Sequence, residues 1–203
     1  ATIAGGYFNA IGVNSYYSVI GGGQDNNIAA FSGSASIAGG YLNDIETDSA
    51  YSAIGGGQDN NIADNSPYTA IPGGRFNNIG TDSDCSAIGG GRANTITNSN
   101  QSSIGGGNDN YIAGSFAATI AGGANNNIEP SSGLSTIGGG QYNSIRSLSA
   151  YATVAGGYGN DIEASCYYSA MGGGFGNMIG DYNYSATIAG GYNNNIGANS
   201  SDS

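Results

Sequence analysis

Side chains able to do bond chemistry are few in this chain and poorly spaced for it. The 203 residues include no His, no Lys, three Arg (Arg75, Arg92, Arg146), 14 acidic residues and two Cys. Without an imidazole or an amine, a Ser or Cys nucleophile has no neighbouring base to take its proton, and the usual zinc ligand sets cannot be assembled. Carboxylate pairs such as Asp82 with Asp84 or Glu46 with Asp48 have the spacing of a general acid and base. They read instead as solvated loop acids, and the expectation is a protein that is not an enzyme. Asp25, Asp59 and Asp109 follow a Gly run at one fixed offset, so calcium is the only cofactor to weigh. The period differs from that of calcium-binding rolls and most repeats lack an acid there, so no cofactor is expected.

Cys85 and Cys166 lie five repeats apart. At about 4.8 Å per repeat that is roughly 24 Å, against about 5.5 Å between bridged Cα atoms, so an intrachain disulfide is not expected. A free thiol and an interchain bond both stay open. The net charge of -11 repels phosphate backbones, which excludes nucleic acid as a partner. No stretch approaches the roughly 20 apolar residues needed to cross a bilayer, so membrane insertion is not expected.

The elements that would carry these residues follow from one pattern, Ile-x-Gly-Gly-x-x-Asn-x-Ile, repeated twelve times over residues 1–203. Its anchors are Ile3, Ile20, Ile37, Ile54, Ile71, Ile88, Ile104, Ile120, Ile137, Val154, Met171 and Ile188, spaced 17 residues apart with two intervals of 16. Repeats of this length indicate a solenoid, here a single array without distinct caps. Paired Gly in every repeat exclude helices, and no Asn-Gly or Asp-Gly dipeptide marks a hairpin. The expected fold is all-β: a parallel β-solenoid (β-roll or β-helix) of about twelve 17-residue coils, roughly 55 to 60 Å long. In each coil a short run such as Ser18-Val19-Ile20 points Ser18 and Ile20 inward. Gly22-Gly23 turns the chain, Asn26-Asn27-Ile28 forms a second run, and a variable segment of six to eight residues returns. Asn26, Asn60, Asn94, Asn126, Asn160 and Asn194 are expected to form a ladder of stacked amides at a bend where Asn tolerates the left-handed region.

A second regularity concerns the residues flanking each anchor. Where the residue two before the anchor is Ala, the residue after it is also Ala (Ala38, Ala121, Ala155, Ala189 among them); where it is Ser, the residue after is Gly (Gly21, Gly55, Gly89, Gly138, Gly172). The types alternate, apart from the Thr69/Pro72 coil, with a slip of phase between Ile88 and Ile104. Descent from a duplicated pair of repeats accounts for the pattern, and so does a surface of methyl bumps and Gly notches that meshes with another copy. Two buried Ile per coil make a thin core, which also favours association. The loops carry many of the 15 Tyr, including Tyr17, Tyr51, Tyr68, Tyr151 and Tyr168, whose amphipathic rings suit sugars or neighbouring chains. Sequons stand at Asn100, Asn183 and Asn199.

The runs Ser-Val-Ile-Gly-Gly-Gly at 18–23 and Ala-Thr-Ile-Ala-Gly-Gly at 186–191, each followed by Asn, resemble the head repeats of trimeric autotransporter adhesins. That resemblance implies a left-handed parallel β-roll, three chains side by side, and attachment of a bacterial surface to host or matrix. Three functions are therefore carried forward. The first is a subunit of an extracellular or cell-surface fibre that assembles with itself, as a filament or trimer, with the coil at Ile188 continuing into the coil at Ile3 of a next subunit or of a longer parent chain. The second is an adhesin head or phage-fibre module binding glycans on a host or cell surface. The third is an ice-binding solenoid, disfavoured by the irregular row Thr2, Val19, Ser36, Ala53, Ala70, Ala87, Ser103, Thr119, Thr136, Thr153, Ala170 and Thr187.

Overall fold

A computed structural model describes residues 1–200 and divides into two compact units, Ala1–Gln101 and one beginning at Ser102. The division falls within one of the two shortened intervals. Each unit is a parallel β-solenoid of six coils, with no helix among the described residues. A coil contributes two very short strands, such as Val19–Ile20 and Asn27–Ile28. Each strand pairs in parallel with its equivalent one repeat on, Val19 with Ser36 and Ile20 with Ile37, Asn27 with Asp44 and Ile28 with Ile45. In the first unit the pairing builds one sheet from Thr2–Ile3 to Ala87–Ile88 and another from Ala10–Ile11 to Thr95–Thr97. The second unit repeats this between Ser103–Ile104 and Thr187–Ile188, and between Tyr111–Ala113 and Asn195–Ile196.

In-register pairing places every inward Ile over the same Ile of the neighbouring coil. Two aliphatic rows result, fully buried from Ile20 to Ile88 and from Ile28 to Ile96 in the first unit. Completely burying one such side chain is worth about 1.5–3 kcal/mol. The rest of the interior holds a few buried Ala, such as Ala35, and a larger set of Asn, Ser and Thr side chains. A third ladder runs through a single residue after the Gly pair, Tyr7 to Gln24 to Tyr41 and onward. Gly occupies the turn before it for two reasons at once: Gly23 has φ 87°, and a Cβ there would stand 2.2 Å from the Gly40 carbonyl oxygen of the next coil. The mirror-side conformation and the lack of room both exclude any other residue.

Two expectations need correction. The conserved-looking Asn does not adopt the left-handed conformation; the residue before it does, as at Phe8, Asp25, Leu42, Asp59 and Phe76, with φ between 53° and 59°. The reason is that the Asn side chain must point inward, so the preceding residue makes the corner. The return segment is also not irregular. It turns at two more left-handed corners, Phe31 and Ser34 in the second coil, whose backbone N–H groups donate to the carbonyls of Val13 (3.0 Å) and Tyr16 (2.7 Å) of the coil before. A non-Gly residue in this region costs roughly 1–2 kcal/mol, and the bond to the neighbouring coil offsets it. Where the interval shortens to 16, one residue is lost between the second Ile and the next inward Ser (Ile96 to Ser99 against Ile28 to Ser32), and the second strand lengthens to three residues.

Two neighbouring glycines give a direct check. Gly157 has φ 96° and a Cβ would meet the Gly174 carbonyl oxygen at 2.2 Å, whereas Gly159 has φ 63° and open space around it. Gly157→Ala is expected to lose at least about 2 kcal/mol of stability. Gly159→Asn, which matches Asn125 and Asn193 at the same corner, is expected to change the urea midpoint little. Equal midpoints for the two variants would contradict the stacking.

Candidate functional site

Inside each unit the side-chain amides do what the backbone of one coil cannot do alone. Asn60 is fully buried. Its Nδ2 donates to the Asn43 side-chain oxygen of the preceding coil (3.0 Å), the Gly56 carbonyl of its own coil (3.0 Å) and the Gly74 carbonyl of the next (3.0 Å). Its Oδ1 accepts from both the backbone N–H (3.2 Å) and the Nδ2 (3.1 Å) of Asn77. The same pattern holds at Asn26, at Asn126 and at Asn160. Asn94 and Asn194 continue it with bonds to Asn77 and Asn177. The expected ladder residues are thus brought together, and Asn26, Asn60, Asn126 and Asn160 each join three coils.

Sequence reasoning missed a second buried polar row. Ser15, Ser32, Ser49, Ser66, Ser83 and Ser99 line the first unit, and Ser115, Ser132 and Ser149 the second. Ser49 Oγ accepts the Ser66 N–H (3.2 Å) and donates to the Ala63 carbonyl (2.7 Å), so each hydroxyl links its own coil to the next. A Ser five residues before every anchor in this stretch was the available signal. It stands inside the return segment, whose neighbouring positions vary, and so reads as part of a variable loop. The row ends in Cys166 and Asn183, both buried. Cys166 takes the serine's place: its N–H donates to Ser149 Oγ (3.0 Å) and its thiol to the Gly180 carbonyl (3.1 Å), and burial pushes the thiol pKa up. An interchain disulfide through Cys166 is therefore closed off in the folded state, whereas Cys85 is exposed. Burial of Asn183 likewise closes its sequon to glycosylation.

On the outside, the flanking positions lie where expected. Gly21, Ala38, Gly55 and Gly89 are exposed in the first unit, as are Ala121, Gly138, Ala155, Gly172 and Ala189 in the second. The alternation has a cause within each chain. A Cβ on Gly21 would stand 2.4 Å from the Ala38 carbonyl oxygen, and on Gly138 2.3 Å from that of Ala155. Gly in one coil thus makes room for the backbone of the next.

The loop tyrosines Tyr17, Tyr51, Tyr68, Tyr151 and Tyr168 all occupy left-handed corners. Tyr51 and Tyr68 stack with centroids 5.0 Å apart and planes parallel, and Tyr151 and Tyr168 at 4.9 Å. Rings stacked on each other cover one face of each and leave the other face, the edges and the hydroxyls for further contacts. Tyr17 is 85% exposed. The calcium candidates Asp25, Asp59 and Asp109 are corner residues too, which accounts for their fixed offset, since Asp tolerates the left-handed region. Asp25 accepts from Gln24 Nε2 (2.9 Å) and Asp109 from Asn108 Nδ2 (2.6 Å). Among the described residues no three metal-binding side chains converge.

Neither a protein-family model nor a curated protein matches the chain.

One outward row carries a titratable group at a place of consequence. Asn27, Asp44 and Asn61 pair in sequence; Asn27 Nδ2 donates to Asp44 (2.9 Å), while the buried Asn61 Oδ1 has no partner. Burial raises the Asp44 pKa above the usual carboxylate range, Asn27 lowers it, and Glu46 and Asp64 raise it further. A carboxyl whose pKa is raised by folding stabilises the fold at low pH and loses that contribution as pH rises through the folded-state value. Asp44→Asn, which removes the charge and supplies a donor beside Asn61, is expected to raise the urea midpoint at pH 7. The gain should fade below about pH 4, where the carboxyl is protonated in both states.

Proposed function

We propose that this chain is a structural subunit of an extracellular or cell-surface fibre, assembling with copies of itself rather than transforming a substrate. The observation that carries this reading is the exposed, uncharged row of Gly and Ala beside the first sheet of each unit, alternating except at Pro72 and at the step from Gly89 to Gly105. Such a surface offers close backbone approach at a regular spacing of about 4.8 Å, which a second copy shares by construction. Exposed aromatic and aliphatic side chains at the corners, among them Phe8, Tyr7 and Tyr192, add apolar surface of the kind that marks interaction sites. The resemblance of the repeats to autotransporter adhesin heads supports a surface location and a side-by-side arrangement of chains.

An adhesin head or fibre tip that binds glycans is the second reading, and the exposed Tyr17 favours it. The paired rings at Tyr51 with Tyr68 and Tyr151 with Tyr168 favour it less, because each pair already occupies one face of each ring.

The Gly notches themselves are poor probes, since any side chain at Gly21 or Gly138 collides with the chain's own next coil. The Ala row is the clean one. Ala121→Lys with Ala155→Lys is expected to disperse the assembly seen by negative-stain electron microscopy while the far-ultraviolet circular dichroism stays that of a β protein. Wild-type protein that remains monomeric at high concentration would overturn the reading.

A further inference from the structure

The three arginines are distributed unequally. Arg146 is neutralised within its own unit by Asp161 (2.6 Å) and Glu163 (3.1 Å). Arg75 and Arg92 have no carboxylate within salt-bridge distance among the described residues. Both are exposed on one edge of the first unit, in a chain of net charge -11. That edge consists of the single-residue ladder and the left-handed corner after it. Read coil by coil, it carries Tyr7-Phe8, Gln24-Asp25, Tyr41-Leu42, Gln58-Asp59, Arg75-Phe76 and Arg92-Ala93. Arg75 Cζ lies 4.9 Å from the centroid of its neighbour Phe76, and Tyr7 packs on Phe8 at 4.1 Å.

The order of these pairs discriminates between symmetries. In any parallel arrangement with coils level, such as a three-fold bundle around this edge, Arg75 meets Arg75 and Asp25 meets Asp25, and like charges oppose at each of the charged levels, the second, fourth, fifth and sixth coils. A two-fold axis perpendicular to the stack instead sets the first coil against the sixth, the second against the fifth and the third against the fourth. Then Arg75 faces Asp25, Arg92 faces the Tyr7-Phe8 ring pair, and Tyr41-Leu42 faces Gln58-Asp59, each contact occurring twice. One register thus gives both cations a partner, one ionic and one through the face of an aromatic ring.

We propose that this edge of the first unit is an isologous, antiparallel docking surface for a second copy of the chain, with Arg75 paired to Asp25 and Arg92 set against Tyr7 and Phe8 across a two-fold axis. The proposal rests on the self-assembly reading and gives it a polarity and a register.

The test uses the full chain in sedimentation equilibrium at low salt. Arg75→Asp and Asp25→Arg are each expected to weaken dimerisation on the order of a hundredfold, since each change acts twice across the axis at about tenfold per contact. The double variant D25R/R75D restores complementary charge and should recover dimerisation, whereas D59R/R75D should not. Arg92→Glu should weaken the dimer with an unchanged circular dichroism spectrum. Failure of D25R/R75D to recover, or no effect of Arg75→Asp, overturns the edge and its register. If association then still vanishes on Ala121→Lys with Ala155→Lys, the broader reading stands without this edge. A wild-type chain that never dimerises overturns both.

Discussion

Everything in this protein follows from stacking nearly identical coils at the distance of a parallel β-ladder while keeping polar groups in the interior. Two Ile per coil supply apolar surface, but the turns between the short strands leave carbonyls pointing inward. Each of those needs a donor in a space that excludes water, and a buried unpaired polar group costs about 1–3 kcal/mol. The Asn amide meets this need. It donates to carbonyls of its own coil and of the next while its oxygen accepts from the following amide. Asp at the same place would have no hydrogens to give, and Gln would carry an extra methylene into the turn. A chain of such bonds along one axis also polarises each member in turn, so the ladder gains from its length.

Once the ladder is fixed, the backbone has little freedom left. Gly at the turn is required because the next coil's carbonyl occupies the space of a Cβ, and the Gly of the Ser-type coils is required for the same reason one layer further out. The corners are more unusual. Phe, Leu and Tyr rarely accept positive φ, yet Phe8, Leu42, Tyr51 and Tyr68 do so here. From the second coil on, the corner amide donates to a carbonyl of the preceding coil, as Leu42 N–H does to Gln24 (3.1 Å) and Tyr68 N–H to Ala50 (3.0 Å). Local preference is overruled by a contact 18 residues away in sequence, as in Tyr51 N–H to the Gly33 carbonyl.

That same fact separates what could be read from the sequence from what could not. The Ile rows, the Gly turn, the parallel register and the existence of an Asn ladder were legible because each leaves a residue type that recurs at a fixed spacing. The left-handed corners were not, because outward residues there vary freely while their backbone does not. The hydroxyl row beginning at Ser15 lay between these cases: its residue type recurs five residues before each anchor from Ile20 to Val154, but it stands among return-segment positions that vary freely. Asn183 and Cys166 show how context changes meaning. One matches a glycosylation signal and the other suggests a reactive thiol, yet both stand in that hydroxyl row with their polar atoms turned to inner carbonyls.

The division between a committed interior and a free exterior also bears on function. Side chains facing inward are bound by the ladder and cannot diverge without cost, so any difference between coils must be written on the outside. The two units differ there in kind. The first carries Arg75 and Arg92 beyond Tyr, Gln and Asp on one edge, while the corresponding row of the second ends in a face-to-face stack of Tyr158, Phe175 and Tyr192 at 5.0 and 5.2 Å. Stacked rings cover one another within one chain, whereas the guanidinium groups of Arg75 and Arg92 stand exposed with no carboxylate at salt-bridge distance among the described residues. A scaffold built of uniform coils thus differs from coil to coil only in its outward residues, and on the proposed self-assembly reading it is their order along the stack that would set how a second copy lies.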